Sequence, residues 1–410
     1  MRASVFSLFL VLAATACGAA DHNVPPPPEH HAAEANSDAA VAALRASKFA
    51  DARQAATAAL GRDPRDSRAA AVRALASYQI AAHDLFGELE NIIGRADHLE
   101  FFDHKGGREA WQRWLNVLEG VQNDLEVSAA DTQFSLEMCL ACWEVDWNRN
   151  GRIDERDGHM LEIEVDGKGE TLPEGDPRRR PVFRFDQGDA EWALAMVSFQ
   201  RAAGELVLAY KWSELDKLFS QEHPAITIKL TEPERVVRAR KLILEGLAHA
   251  DKCRTEYLSE TDDDREWVPN PTQKNHAIPL AMDASIYSTW EGVIGDMRRM
   301  LNSEEGLSMR DLTQVVDENA ELTSKVPSAY IDIGRMLKEP QDIQINVAML
   351  MFADKNLNVA EKVLRDLIGN GYQTSMKPSP LPSRLRAMKK QLDTGEDTFD
   401  RKLHYLFWLN

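Results

Sequence analysis

The chain is expected to be mainly α, a helical array or bundle with one small β-hairpin insertion. Three observations predict this. Apolar residues recur at three- and four-residue steps through most of the length, as along Trp111, Trp114, Leu115, Leu118, Val121 and Leu125. Asp, Gly and Pro fall between these runs, where helices are capped and stopped. Alternation is confined to Leu161 to Val165 and Val182 to Phe185, on either side of a Pro-, Gly- and Arg-containing connection.

From the N-terminus, MRASVFSLFLVLAATACGAAD carries one Arg, a short apolar run and then small residues. The run is too short for a permanent membrane helix and reads as an export signal over residues 1–16. Ala14-Thr15-Ala16-Cys17 resembles the lipobox of bacterial lipoproteins, with Ala14 at the place Leu usually takes. The resemblance implies that Cys17 is diacylated and becomes the mature N-terminus. Gly18 after it resembles the pattern that directs Gram-negative lipoproteins to the outer membrane, on its periplasmic or surface face. An ordinary secretory signal cut nearby is the alternative. Residues 17–35 form a tether, whose four consecutive Pro favour an extended polyproline stalk. His30 and His31 within it read as part of the tether.

Net charge is −18, and −19 without Arg2 of the signal. Nucleic acid needs a basic footprint, so that partner class is excluded, and attachment to a membrane falls to the lipid alone. With Cys17 lipidated, Cys139, Cys142 and Cys253 remain, so disulfides are not the main framework. Cys139-Leu-Ala-Cys142 has the spacing of a redox or haem pair. Trp143 stands where a c-type haem needs His, and no strand is expected before the motif. Two small buried residues on a helix is the reading favoured.

Residues 36–80 open the body. Within them, residues 48–64 carry Phe49, Ala52, Ala56, Ala59, Leu60 and then Asp63-Pro64. This resembles the second helix of a tetratricopeptide repeat, and residues 67–78 the first helix of the next. One or two such repeats do not stack a solenoid alone and are expected to pack onto the neighbouring helices. A helical region, 81–145, comes next. Helices are expected over 69–102, 110–127 and 134–145, with Lys105-Gly106-Gly107 as a break. The hairpin insertion occupies 158–188. The C-terminal region, 189–410, is read as helices over 190–219, 232–258, 283–301 and 308–319, an irregular stretch near 259–280, and shorter helices beyond 343. Its apolar end, Tyr405 to Leu409, is expected to dock on the body.

The stretch DWNRNGRIDERD, residues 146–157, carries the clearest chemistry. Calcium needs six or seven oxygens from one short run of backbone. Counting from Asp146, oxygen-bearing side chains stand at the first, third, fifth, ninth and twelfth places: Asp146, Asn148, Asn150, Asp154 and Asp157. Gly151 is sixth, where the chain bends sharply, and Arg152 is seventh, where a backbone carbonyl serves. The run resembles the EF-hand loop, and its twelfth-place Asp the dockerin-type variant. That resemblance implies Ca²⁺ held by Asp146, Asn148, Asn150, the Arg152 carbonyl, Asp154 and Asp157. A helix is expected to enter the loop and a strand to leave it, with no second loop to pair at Ile153. Sensor behaviour needs paired loops and a helix free to swing. The ion is therefore expected to hold structure rather than to switch it.

A second polar cluster, Glu260 to Glu266 with Trp267, Asn270, Asn275 and His276 after it, offers carboxylates beside an aromatic and a His. Hydrolytic or carbohydrate-binding chemistry in residues 260–276 is the alternative function, with the site in a long loop. No nucleophile elbow, H-E-x-x-H pair, phosphate-binding Gly loop or dinucleotide fingerprint appears in the chain. The expectation is a non-enzymatic, calcium-binding envelope lipoprotein acting as a scaffold for an unidentified protein partner.

Overall fold

The computed structural model describes residues 34–94, 103–146, 149, 151–153, 157, 162–166, 170–218, 225–278, 282–316, 326–346 and 357–392. Cys17, the tether histidines, Asn148, Asn150, Asp154 and the apolar end at 405–409 lie outside these residues. The described chain is mainly helical, with only small sheets.

Small residues set the N-terminal packing. Helices α1 (Glu34–Arg45) and α2 (Phe49–Leu60) are joined by three residues, with Ser47 in the left-handed region at φ 57°. Ala52, Ala56 and Ala59 of α2 are fully buried, as are Ala69, Ala70 and Val72 of α3 (Ser67–Gly94). Side chains this short let the helix backbones approach closely. Residues 67–94 form one continuous helix, as expected from residue 69 onward.

Helix α4 (His104–Ala129) starts at the position of the expected break. Asp103 accepts from the Gly106 amide, so Lys105-Gly106-Gly107 forms the first turn of a capped helix. Arg73 of α3 donates to Asp124 of α4 (2.8 Å), and Tyr78 meets Trp114 edge-on.

The segment 134–145 departs from the expectation of a helix. It forms strand β1 (Leu136–Met138), then a short 3-10 turn (Leu140–Cys142), then chain without regular structure. Phe134, Leu136, Met138 and Leu140 are all buried, and their two-residue period is that of a strand. A strand thus precedes the Cys pair, and Cys139 and Cys142 are joined as a disulfide. Cys253 is buried and takes no part in the disulfide.

The expected hairpin is also re-paired. Strand β2 (Phe183–Phe185) runs antiparallel to β1, Leu136 opposite Phe185 and Met138 opposite Phe183. The 162–166 segment turns back locally instead: Asp166 donates to the Glu170 carbonyl and Leu172 to that of Glu164. A near partner across an Asp-led turn closes with less entropy loss than one across the longer connection.

Helix α5 (Gln187–Ala209) and α6 (Pro233–Ser259) form the central pair. Gly246 of α6 lies where a Cβ would press within 3.0 Å of the Phe199 ring and the Ala195 carbonyl of α5. Helix α5 ends ten residues before the expected 219, giving way to β3 (Tyr210–Lys211) and a 3-10 segment (Trp212–Leu218). Strand β4 (Ala225–Leu230) comes next, then α7 (Ala284–Leu301), β5 (Leu307–Ser308) and α8 (Met309–Val316). The rest comprises β6 (Tyr330–Ile331), α9 (Ile333–Lys338), β7 (Ile343–Asn346), α10 (Leu357–Ile368), β8 (Tyr372–Gln373) and α11 (Leu381–Leu392). Two small sheets, β3-β4-β7 and β5-β6-β8, go beyond the single hairpin expected from the sequence. One core runs from α1 through β1 and β2 to α11. No helix among the described residues is long and apolar enough to cross a membrane.

Candidate functional site

Two groups of acidic residues are candidates. The first is the loop that opens at Asp146. Its entry is held from outside: Trp143 packs edge-on against Phe49, and the Glu144 amide donates to the Ser47 hydroxyl. The Asp146 carbonyl accepts from His83 Nε2 of α3 at 2.8 Å, which places the proton on that nitrogen. Inside the loop, Asp146 Oδ2 accepts from the Gly151 amide at 2.7 Å. Arg149 and Gly151 both take left-handed backbone (φ 55° and 80°), a conformation that Gly151 adopts without strain. The Arg149 guanidinium reaches back to Asp84 and to the His83 carbonyl on α3.

Asp157 is buried although it is acidic, whereas Arg152 and Ile153 face solvent. Ile153, at the eighth place of the loop, is 52 % exposed. Carboxylate, amide and carbonyl oxygens are the donor set that hard cations prefer, so the residues suit calcium. The flank differs from the EF-hand form, because chain without regular structure rather than a helix enters at Asp146.

The second candidate joins the β2–α5 junction to the loop after α6. Asp186 caps α5 by accepting from the Gly188 amide, and Asp189 closes a capping box by accepting from the Asp186 amide. Asp189 is buried and accepts from the Tyr257 hydroxyl at 2.7 Å. Oxygens of Asp186, Glu260 and Glu266 lie within 4.8 Å of one another. Burial pushes Glu260 up to about 10, with the Asp186 charge adding to it. Burial likewise holds Glu266 at about 7, against an amide hydrogen bond from Asp264 that favours its charge. Asp189 is raised by burial and then by Asp186. Crowded carboxyls in a half-dry site either keep protons or gather round a cation.

The loop that brings Glu260 and Glu266 there is tightly built. Trp267 is buried and meets Phe185 at a ring separation of 5.6 Å. Asn270 donates from its side chain to the carbonyls of Tyr257 and Glu260, while Gln273 donates to the Glu260 carboxylate. Asp262 pairs with Arg184 at 2.6 Å, and Asp263 accepts from the amides of Lys274 and Asn275. The exposed run Asp262 to Asp264 therefore braces the loop, and Glu260 and Glu266 are the members that converge. His276 turns to the Ile278 carbonyl. Sequence reasoning missed Asp186 and Asp189 as site residues because their spacing already explains them as helix caps.

The chain matches no protein-family model, no curated protein and no solved structure.

Proposed function

We propose that this chain is a non-enzymatic, exported helical scaffold, anchored by a lipid on Cys17 and clamped by calcium at residues 146–157. It offers its N-terminal helices to a protein partner and, being acidic, takes no nucleic acid. The observation that carries the calcium reading is the closure of Asp146 onto the Gly151 amide, with the loop's entry bonded to His83 of α3. An ion there joins α3 to the β1 segment, which is a structural task. Calcium is expected to raise the melting temperature in the range of roughly 10⁻⁵ to 10⁻³ M. Asp146→Ala or a chelator should abolish that rise; a wild-type melting temperature indifferent to calcium sinks the clamp. The anchor has a separate check. A fatty-acid probe should label the wild-type chain and leave Cys17→Ser unlabelled, and equal labelling of both refutes it.

A second reading is supported by the Asp186, Glu260 and Glu266 cluster. Carboxyls whose affinities for protons are pushed apart supply an acid and a base, as hydrolysis of a carbohydrate requires. On that reading Glu266 is the acid and residues 260–276 form the substrate-binding loop.

A further inference from the structure

We propose that the Cys139–Cys142 disulfide is a thiol–disulfide exchange centre, with Cys142 Sγ as the sulfur that external thiols attack. The two cysteines are differently placed. Cys142 is exposed, whereas Cys139 is half-buried with its sulfur 3.5 Å from the Arg180 carbonyl. Between them Leu140 and Ala141 are buried and anchor the 3-10 turn in the core, which leaves Cys142 on the outer side.

The bond is poorly suited to be a staple. It spans a sequence separation of three, and so short a loop removes little freedom from the unfolded chain. The turn is also held without it. Arg45 donates twice to the Glu137 carbonyl (3.0 and 2.7 Å), β1 is paired to β2, and Ser47 fixes the Glu144 amide. Reduction therefore leaves the fold in place, which an exchange centre requires and a structural cross-link does not.

A thiolate, from a small thiol or a peptide cysteine, bonds to Cys142 Sγ while the Cys139–Cys142 bond breaks. The electron pair goes to Cys139 Sγ, which takes a proton from water and donates it to the Arg180 carbonyl. That bond favours the protonated Cys139 thiol and lessens its return attack. A second thiolate then attacks the substrate sulfur of the mixed disulfide and releases Cys142 as a thiolate. Two substrate thiols become a disulfide and the pair becomes a dithiol.

The test equilibrates the wild-type chain with glutathione buffers of graded ratio, and in parallel with a cysteine-containing peptide and its disulfide. Rapid alkylation and peptide mass then read each cysteine, with the melting temperature tracked alongside. The expected result is reduction of Cys139 and Cys142 in the folded chain while Cys253 stays unmodified. The peptide arm alone, or the glutathione arm alone, identifies which thiol source the centre accepts. With glutathione disulfide, Cys139→Ser should form its adduct at Cys142 at least about tenfold faster than Cys142→Ser forms one at Cys139. A pair that stays oxidised in both arms until the chain unfolds, or whose reduction unfolds it, overturns the proposal. So does faster adduct formation at Cys139. If either variant fails to fold, the wild-type equilibration alone decides.

Discussion

Trp267→Ala is expected to lower the free energy of unfolding by roughly 3–5 kcal/mol, the range for removing a large aromatic from a well-packed core. Trp267 is among the largest fully buried side chains, and its ring meets Phe185 at the end of β2. One residue further on is Asp186, and one residue before Trp267 is Glu266. The indole thus fills the core and at the same time fixes the separation of two cluster carboxyls. Denaturant unfolding of the variant measures the first effect. The second is read from the pH dependence of stability, which should shift with the spacing of Asp186 and Glu266. A loss under about 1 kcal/mol, well below that range, would show that the loop after α6 is held by its Asn270 and Asp263 bonds instead. The Phe185→Leu variant, which keeps an apolar side chain opposite Leu136, should cost less than Trp267→Ala because it leaves a smaller cavity.

The long helices are legible because their signal is repeated many times over. Asp283 reads as the start of a helix and does cap α7, accepting from the Ser285 and Ile286 amides. Short elements carry too few periods to outvote a chance spacing. The segment 134–145 invites a helical reading, while Leu136 to Met138 within it form a strand whose partner, β2, the sequence alone does not reveal. The two-residue strands β3, β5, β6 and β8 leave no periodicity at all. In β4 the alternating Ile226 and Ile228 are buried, but β7, its partner, lies more than a hundred residues on. The cluster is half legible for the same reason. Glu260 and Glu266 stand out as acids in a loop, whereas Asp186 and Asp189 reach them only through the packing of α5 on α6.

Glu266→Gln is expected to stabilise the chain above pH 7 and to leave it unchanged near pH 4.5. In the folded chain the Glu266 carboxyl is held at about 7, from an ordinary value of 4.5. The folded state therefore binds this proton more tightly than the unfolded state does. Its contribution is fully present below pH 4.5 and is lost as pH rises through about 7, so the slope of stability with pH is negative between them. The interval corresponds to about 3 kcal/mol at most, because the residue is buried but its neighbours relax. Gln keeps the shape and still accepts from the Asp264 amide, yet has no charge to develop. Its stability should stay flat where that of the wild type declines, and melting curves at pH 4.5, 6 and 8 compare the two directly. A variant that tracks the wild-type decline would place the titrating group elsewhere, with Asp186 the nearest alternative. The same variant separates the two functional readings. A scaffold loses no partner binding when Glu266 becomes Gln, whereas a hydrolase gains stability and loses its acid. Calcium adds a third arm, since a cation gathered by Asp186, Glu260 and Glu266 displaces their protons and flattens the wild-type slope. If calcium raises stability equally at pH 6 and pH 8 in the wild type, and Asp146→Ala abolishes that rise, the ion belongs to the loop at Asp146 alone.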